Sequence, residues 1–136
     1  MLLTKECDYG IRIVRALSCG TKKTIEMITE EEQLPQKFAY KIMKKLVKNE
    51  IVRSVRGRTG GYQLNKPLNT LTLFDIVIAV DKDRYINDCL RPNSKCPFKD
   101  NPDKKCAVHQ EIVHIQDIVA SALSAKTMDK ILLNGG

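Results

Sequence analysis

Much of what marks a membrane protein or an enzyme is missing from these 136 residues. No run of 18 or more apolar residues occurs, so no membrane-spanning helix is expected. The opening MLLTKECDYG has neither the apolar core nor the cleavage site of a signal peptide, which makes the cytoplasm the expected location. There is no glycine-rich phosphate loop and no nucleophile elbow, and only two histidines are available for acid-base work, so no enzyme is expected. Internal repeats and low-complexity tracts are absent too. A chain of this length with 43% apolar residues is expected to build one compact domain around a modest core.

What is present begins with charge. Lys and Arg number 23 against 16 acidic residues, a net charge of +7, which favours a polyanionic partner such as nucleic acid. The five cysteines are not read as a disulfide framework, because the cytosol keeps thiols reduced. Cys7 and Cys19 fall in an apparently helical segment and read as small apolar residues. Cys89, Cys96 and Cys106 cluster in one short, proline-containing stretch.

Along the chain, Thr4 caps a helix on which Tyr9, Ile13 and Leu17 recur every four residues with Val14 beside them, and Gly20 ends it. Thr24 starts a short second helix through IEMITEEE, and Leu34-Pro35 break it, Pro35 suiting the first turn of the next helix. Residues 36–49 then give the clearest periodicity. Phe38, Ala39, Ile42, Met43, Leu46 and Val47 fill one half of the helical wheel, while Lys37, Lys41, Lys44 and Lys48 form a stripe on the other, with Lys45 and Tyr40 at its edges.

Residues 51–55 read as a strand, RGRTGG as a turn and YQLN as a returning strand. A basic hairpin therefore follows a basic helix directly. Helix, helix, basic helix, basic hairpin is the order of a winged helix-turn-helix, in which the third helix enters the major groove of double-stranded DNA and the hairpin flanks it. The lysines of the helix and Arg53, Arg56 and Arg58 of the hairpin, with Thr59 and Gly60 at its tip, are the expected contacts to phosphates. Gln36, Tyr40 and Lys41 are the candidates for base edges.

Thr72 and Asp75 make a capping-box start for a helix carrying Leu73, Ile76, Val77 and Val80. Residues 87–107 hold three prolines and few apolar side chains, so they read as a loop. From Val108 a long helix spaces Val108, Ile112, Ile115, Val119 and Ala122 by 4, 3, 4 and 3, a coiled-coil seam. A chain this short has little left to cover that seam, which points to a homodimer. Thr127 restarts a short terminal helix. The expected architecture is mainly α with one small β-hairpin: a winged-helix DNA-binding region over 1–70, then linker helix, cysteine loop and dimerisation helix over 71–136, in one compact unit.

Thiolates are soft ligands that suit iron-sulfur clusters and zinc, and a loop can bring three of them around one centre. His109 follows Cys106 by three residues on one helical face, so it can complete a set of three cysteines and one histidine. Zinc in a closed tetrahedral site, and a redox switch made of thiols alone, are the competing readings.

The segment LPQKFAYKIMKKLVKNEIVRSVRGRTGGYQL resembles the signature of the Rrf family of bacterial regulators, and LTKECDYGIRIV and the cysteine loop before a long last helix fit the same family. The similarity covers essentially the whole chain. Its most specific parts are RGRTGGYQL, which matches the family's RG-x-x-GGY-x-L wing, and the three-cysteine loop of its cluster-binding members. The resemblance implies a dimeric winged-helix repressor or activator on palindromic operators, modulated by an iron-sulfur cluster. It also implies a rival fourth ligand, narrowly preferred to His109: members with a similar opening donate an aspartate from the other subunit, which here is Asp8. A cluster-free or zinc-bound regulator controlled by a protein partner is the alternative within the family. Two departures stand out. Six residues separate Cys89 from Cys96 but nine separate Cys96 from Cys106, longer and less even than usual, which leaves 2Fe-2S and 4Fe-4S both open. Pro35 also replaces the serine that caps the third helix in many members.

Overall fold

A computed structural model describes residues 3–99 and 101–134. Its elements are six helices and one hairpin: α1 (Lys5–Ala16), α2 (Ile25–Glu32), α3 (Gln36–Lys48), β1 (Val52–Val55), β2 (Gly61–Leu64), α4 (Leu73–Val80), α5 (Ala107–Ser124) and α6 (Met128–Asn134). Mostly helical with a two-stranded antiparallel sheet, this is the expected winged-helix order followed by a long C-terminal helix.

Local chemistry sets the helix starts. The hydroxyl of Thr4 accepts the Cys7 amide and that of Thr24 accepts the Met27 amide, each satisfying an amide left over at a helix N-terminus. Thr72 and Asp75 form the full reciprocal capping box of α4. Pro35 stands one residue before α3 rather than in its first turn, and no side chain caps that helix. Gln33 ends α2 in the left-handed conformation at φ 54°, the sharp corner that lets α3 leave at a new angle.

The core is the junction of α1, α2, α3 and α4. Ile13, Val14 and Leu17 meet Ile28, Ile42, Met43, Leu46, Ile76 and Val77, all at most 1% exposed. A Cβ on Gly10 would lie 2.6 Å from Val80 Cγ2, so glycine is what lets α1 cross α4 this closely. Phe38 departs from expectation. It sits on the edge of the apolar half of α3, 47% exposed, with its ring 6.3 Å from that of Tyr9.

The hairpin pairs Val52 with Leu64 through Val55 with Gly61. Its free edge is covered by the segment before α2: Lys23 and Tyr62 exchange amide-carbonyl hydrogen bonds of 2.9 and 2.7 Å. A side chain on Gly61 would lie 2.6 Å from the Lys23 carbonyl oxygen, so this single-residue bridge requires glycine there. At the other end α6 turns back on the chain, its Met128 amide donating to the Leu71 carbonyl at 2.7 Å with both side chains buried.

Helix α5 has no buried residue of its own. Val119 and Leu123 pack partly against the chain's core. Val108, Ile115 and Ile118 are exposed by 67, 41 and 53%.

Candidate DNA-binding face and cysteine cavity

Ala39, Ile42, Met43 and Leu46 anchor α3 in the core, and that burial turns Gln36, Lys37, Tyr40, Lys41, Lys44 and Lys48 to solvent. These side chains do not share one electrostatic state. Lys37, Lys44 and Lys48 form no ion pair among the described residues, whereas Lys41 and Lys45 both bind Glu6 on α1, at 2.9 and 3.1 Å. Lys45 also donates to the Val80 carbonyl at 2.9 Å. The two ammonium groups, Lys41 first, hold the Glu6 carboxyl below its usual range. Gln36 reaches back to Glu26 at 3.4 Å.

On the wing, Arg56, Arg58 and Thr59 are exposed, and Gly60 closes the turn by donating its amide to the Gly57 carbonyl at 3.0 Å. Arg53 is steadied by Gln63 at 2.9 Å, and Gln63 in turn donates to the Gly20 carbonyl at 2.7 Å. Lys44 and Lys48 of α3 and Ser54 and Tyr62 of the hairpin line a groove of about 300 Å³ between helix and wing. The cations of this groove come from the helix and its hairpin wall is Ser54 and Tyr62, while Arg56 and Arg58 stand exposed at the hairpin's turn, where a phosphate backbone could reach them. Lys22, which donates to Thr59 at 3.1 Å, belongs to this face although the sequence reading passed over it. Its signal was weak, a lysine in an unstructured approach to a helix.

The cysteine loop is organised by polar staples rather than by a core. Gln116 of α5 accepts the Ile86 amide at 2.9 Å and donates to the Arg84 carbonyl at 3.1 Å, tying the start of the loop to the helix after it. Arg91 bridges Asp83 and Asp88, and Lys99 donates to the Arg91 carbonyl and the Ser94 hydroxyl at 3.0 and 2.9 Å. Asp83 is held below its usual range by the Arg91 guanidinium. Gln116 and Arg91 were missed from sequence, since a lone polar residue in a helix or loop reads as surface.

These staples place Cys89, Cys96, Cys106 and His109 around one cavity of about 420 Å³. Cys89 lies on a 3-10 turn, where its sulfur accepts from Asn87 Nδ2 at 3.3 Å. Cys106 is the N-cap of α5, its sulfur accepting the His109 amide at 3.3 Å. Lys99, Lys104 and Lys105 also line the cavity, positive charge beside three potential thiolates. His109 Nδ1 is buried and has no hydrogen-bond partner among the described residues. A buried imidazole nitrogen without a partner costs free energy unless a ligand or proton acceptor meets it. No disulfide joins the five cysteines. Among the described residues no three of these groups meet at a point that one metal ion could share.

The other sequence candidates lie elsewhere. Asp8 does not line the cavity of its own chain; it is exposed on α1 and paired with Arg12 at 3.1 Å. Cys7 is fully buried and Cys19 is exposed near Thr21, whose hydroxyl lowers the Cys19 thiol pKa.

Residues 3–134 match the Rrf2 family, described as iron-dependent transcriptional regulators. A protein of Aquifex aeolicus (strain VF5), named as an HTH-type transcriptional regulator, is 28% identical over 135 residues, 97% of this chain and 92% of its own. Among solved structures, T. potens IscR superposes with a TM-score of 0.75 at 17% identity, covering 100% of this chain and 89% of the other. CymR, the global cysteine regulator of B. subtilis, superposes at 0.76 with 18% identity and 98% of each chain covered. Structures this distant in sequence establish the fold.

Proposed function

Because the chain belongs to the Rrf2 family of transcriptional regulators, we propose that it acts as a homodimer on a double-stranded operator and senses redox state, nitric oxide or iron-sulfur supply through an iron-sulfur cluster held in the cysteine cavity. One observation carries the sensing half of this reading: three cysteines of one loop line a single cavity together with a histidine whose buried Nδ1 lacks a partner among the described residues. Soft thiolates and an imidazole are the donor set that such clusters take. Zinc would accept the same donors, so iron and sulfide content is what separates the two groups. A bound cluster would supply reversible electron transfer and reactivity toward small oxidants.

Cys89, Cys96 and Cys106 would be the thiolate ligands. His109 of the same chain is the fourth ligand favoured by its unpartnered nitrogen, and Asp8 of the partner subunit is the rival. The lysines at the cavity would offset the negative charge of the thiolates. Lys37 and Lys44 of α3 and Arg53, Arg56 and Arg58 of the wing would contact phosphates, with Thr59 and Gly60 at the wing tip and Gln36 and Tyr40 toward base edges. Ordering of the loop would be felt by α5 through Gln116, and so by the spacing of two recognition helices in a dimer.

The test is iron and sulfide content after anaerobic purification. Cys89→Ser, Cys96→Ser and Cys106→Ser each lose the cluster, while Cys19→Ser keeps it. Full iron and sulfide in all three loop variants would overturn the assignment, as would zinc without iron in the wild type. His109→Ala and Asp8→Ala then separate the two fourth ligands by the change each makes in the visible and electron-resonance spectra.

A further inference from the structure

Glu6 is the one acidic side chain that ion-pairs with the lysine face of α3 among the described residues. It projects from the first turn of α1, and each of its oxygens takes a different lysine, Oε1 holding Lys41 at 2.9 Å and Oε2 holding Lys45 at 3.1 Å. Lys45 is fixed a second time by the Val80 carbonyl at 2.9 Å, so it has two reasons to stay where it is. Lys41 has one. Its side chain remains 56% exposed on the stripe shared with Lys37, Lys44 and Lys48, the stripe on which phosphate contact depends.

We infer that Glu6 withholds Lys41 from DNA, setting the affinity of the basic face one phosphate contact below what its lysine count would give. The inference rests on the reading of α3 as the DNA-contacting helix. A lysine already neutralised by a carboxylate displaces no counterion from a phosphate, so it adds nothing to the salt-dependent part of binding. The physical consequence is restraint of non-specific binding. Backbone attraction is the same for every sequence, so an acid that cancels one lysine lowers affinity for all DNA by the same factor. Base-edge contacts made elsewhere on the face are left untouched, so the ratio of operator to non-specific affinity stays the same and only the absolute affinity is lowered.

The experiment compares wild type, Glu6→Gln, Lys41→Met and the double variant on a genomic operator duplex and on an unrelated duplex of equal length, by fluorescence anisotropy across a fourfold range of salt. Glutamine keeps the shape of Glu6 and removes its charge. Glu6→Gln should bind both duplexes more tightly at low salt, with a log-log salt slope steeper by about 0.9, the increment for one phosphate. Over that range it therefore loses about 3.5-fold more affinity than wild type. Lys41→Met alone should leave the slope unchanged, and the double variant should return to it. A shallower slope in Lys41→Met would overturn the inference, because Lys41 would then already be reaching a phosphate past Glu6. An unchanged slope in Glu6→Gln would overturn it as well, with thermal melts of each variant confirming the fold. If wild type and all variants lacked salt-dependent binding to either duplex, the assignment of α3 itself would fall.

Discussion

Glu6 joins α1 to α3 through two partly exposed ion pairs, and surface pairs of this kind are ordinarily worth only about 0–1 kcal/mol each. Its lowered pKa nonetheless gives stability a pH dependence with a definite sign. A carboxylate whose folded pKa lies below the unfolded value stabilises the fold above the unfolded value, near 4.5, and loses that contribution as pH falls through the folded one. Urea unfolding of wild type and Glu6→Gln should therefore differ at neutral pH and converge in acid. A gap that persists unchanged in acid would mean that the glutamine acts through packing rather than charge. At this scale the sequence was informative about type and silent about pairing. Lys41 and Lys45 were legible as cations on a helix face, but their partner lies 35 residues or more away on another helix, and no periodicity links them. His109 was legible as a possible ligand because it follows Cys106 by one helical turn; that its Nδ1 would be buried without a partner was not.

Among the elements, α5 shows how far a heptad pattern reaches. The spacing from Val108 named Ile112, Ile115, Val119 and Ala122 as one seam, yet Ile112 lines the cysteine cavity and Val119 packs on the chain's own core. The outward apolar row is Ile115, Ile118 and Ala122, with Val108 exposed where it also lines the cavity. Apolar residues lie on two faces of this helix, and spacing alone cannot tell the face toward its own fold from the face toward another subunit. If the outward row joins two copies of the chain, Ile118→Glu and Ile115→Glu place a carboxylate against its symmetry mate at a cost of several kcal/mol. Both variants should sediment as monomers at concentrations where wild type is a dimer. Dimeric Ile118→Glu would remove the row from the interface. The hairpin was easier to read: charge, turn residues and its place after a basic helix fixed β1 and β2 within a residue. The covering of its edge by Lys23 was invisible, because it depends on a single backbone pairing from before α2.

Over the whole molecule, the helix-turn-helix core and the cysteine loop are linked through α4 and α5 rather than separated. α4 packs on α1 and α3, and the chain leaving it at Val80 enters the loop that Gln116 fastens to α5. The winged-helix order was legible because each element carries its own period, cap or turn chemistry. The return of α6 onto Leu71 was not, since only the burial of Met128 in the finished fold reveals it. The central claim is that occupancy of the cysteine cavity controls the DNA-binding face. It is tested most directly by titrating an operator duplex, at one fixed salt concentration and without oxygen, with cluster-loaded protein and with the same preparation after chelation of its iron. The account predicts dissociation constants at least tenfold apart, a difference of about 1.4 kcal/mol. Equal constants for two preparations that differ in measured iron and sulfide would contradict it.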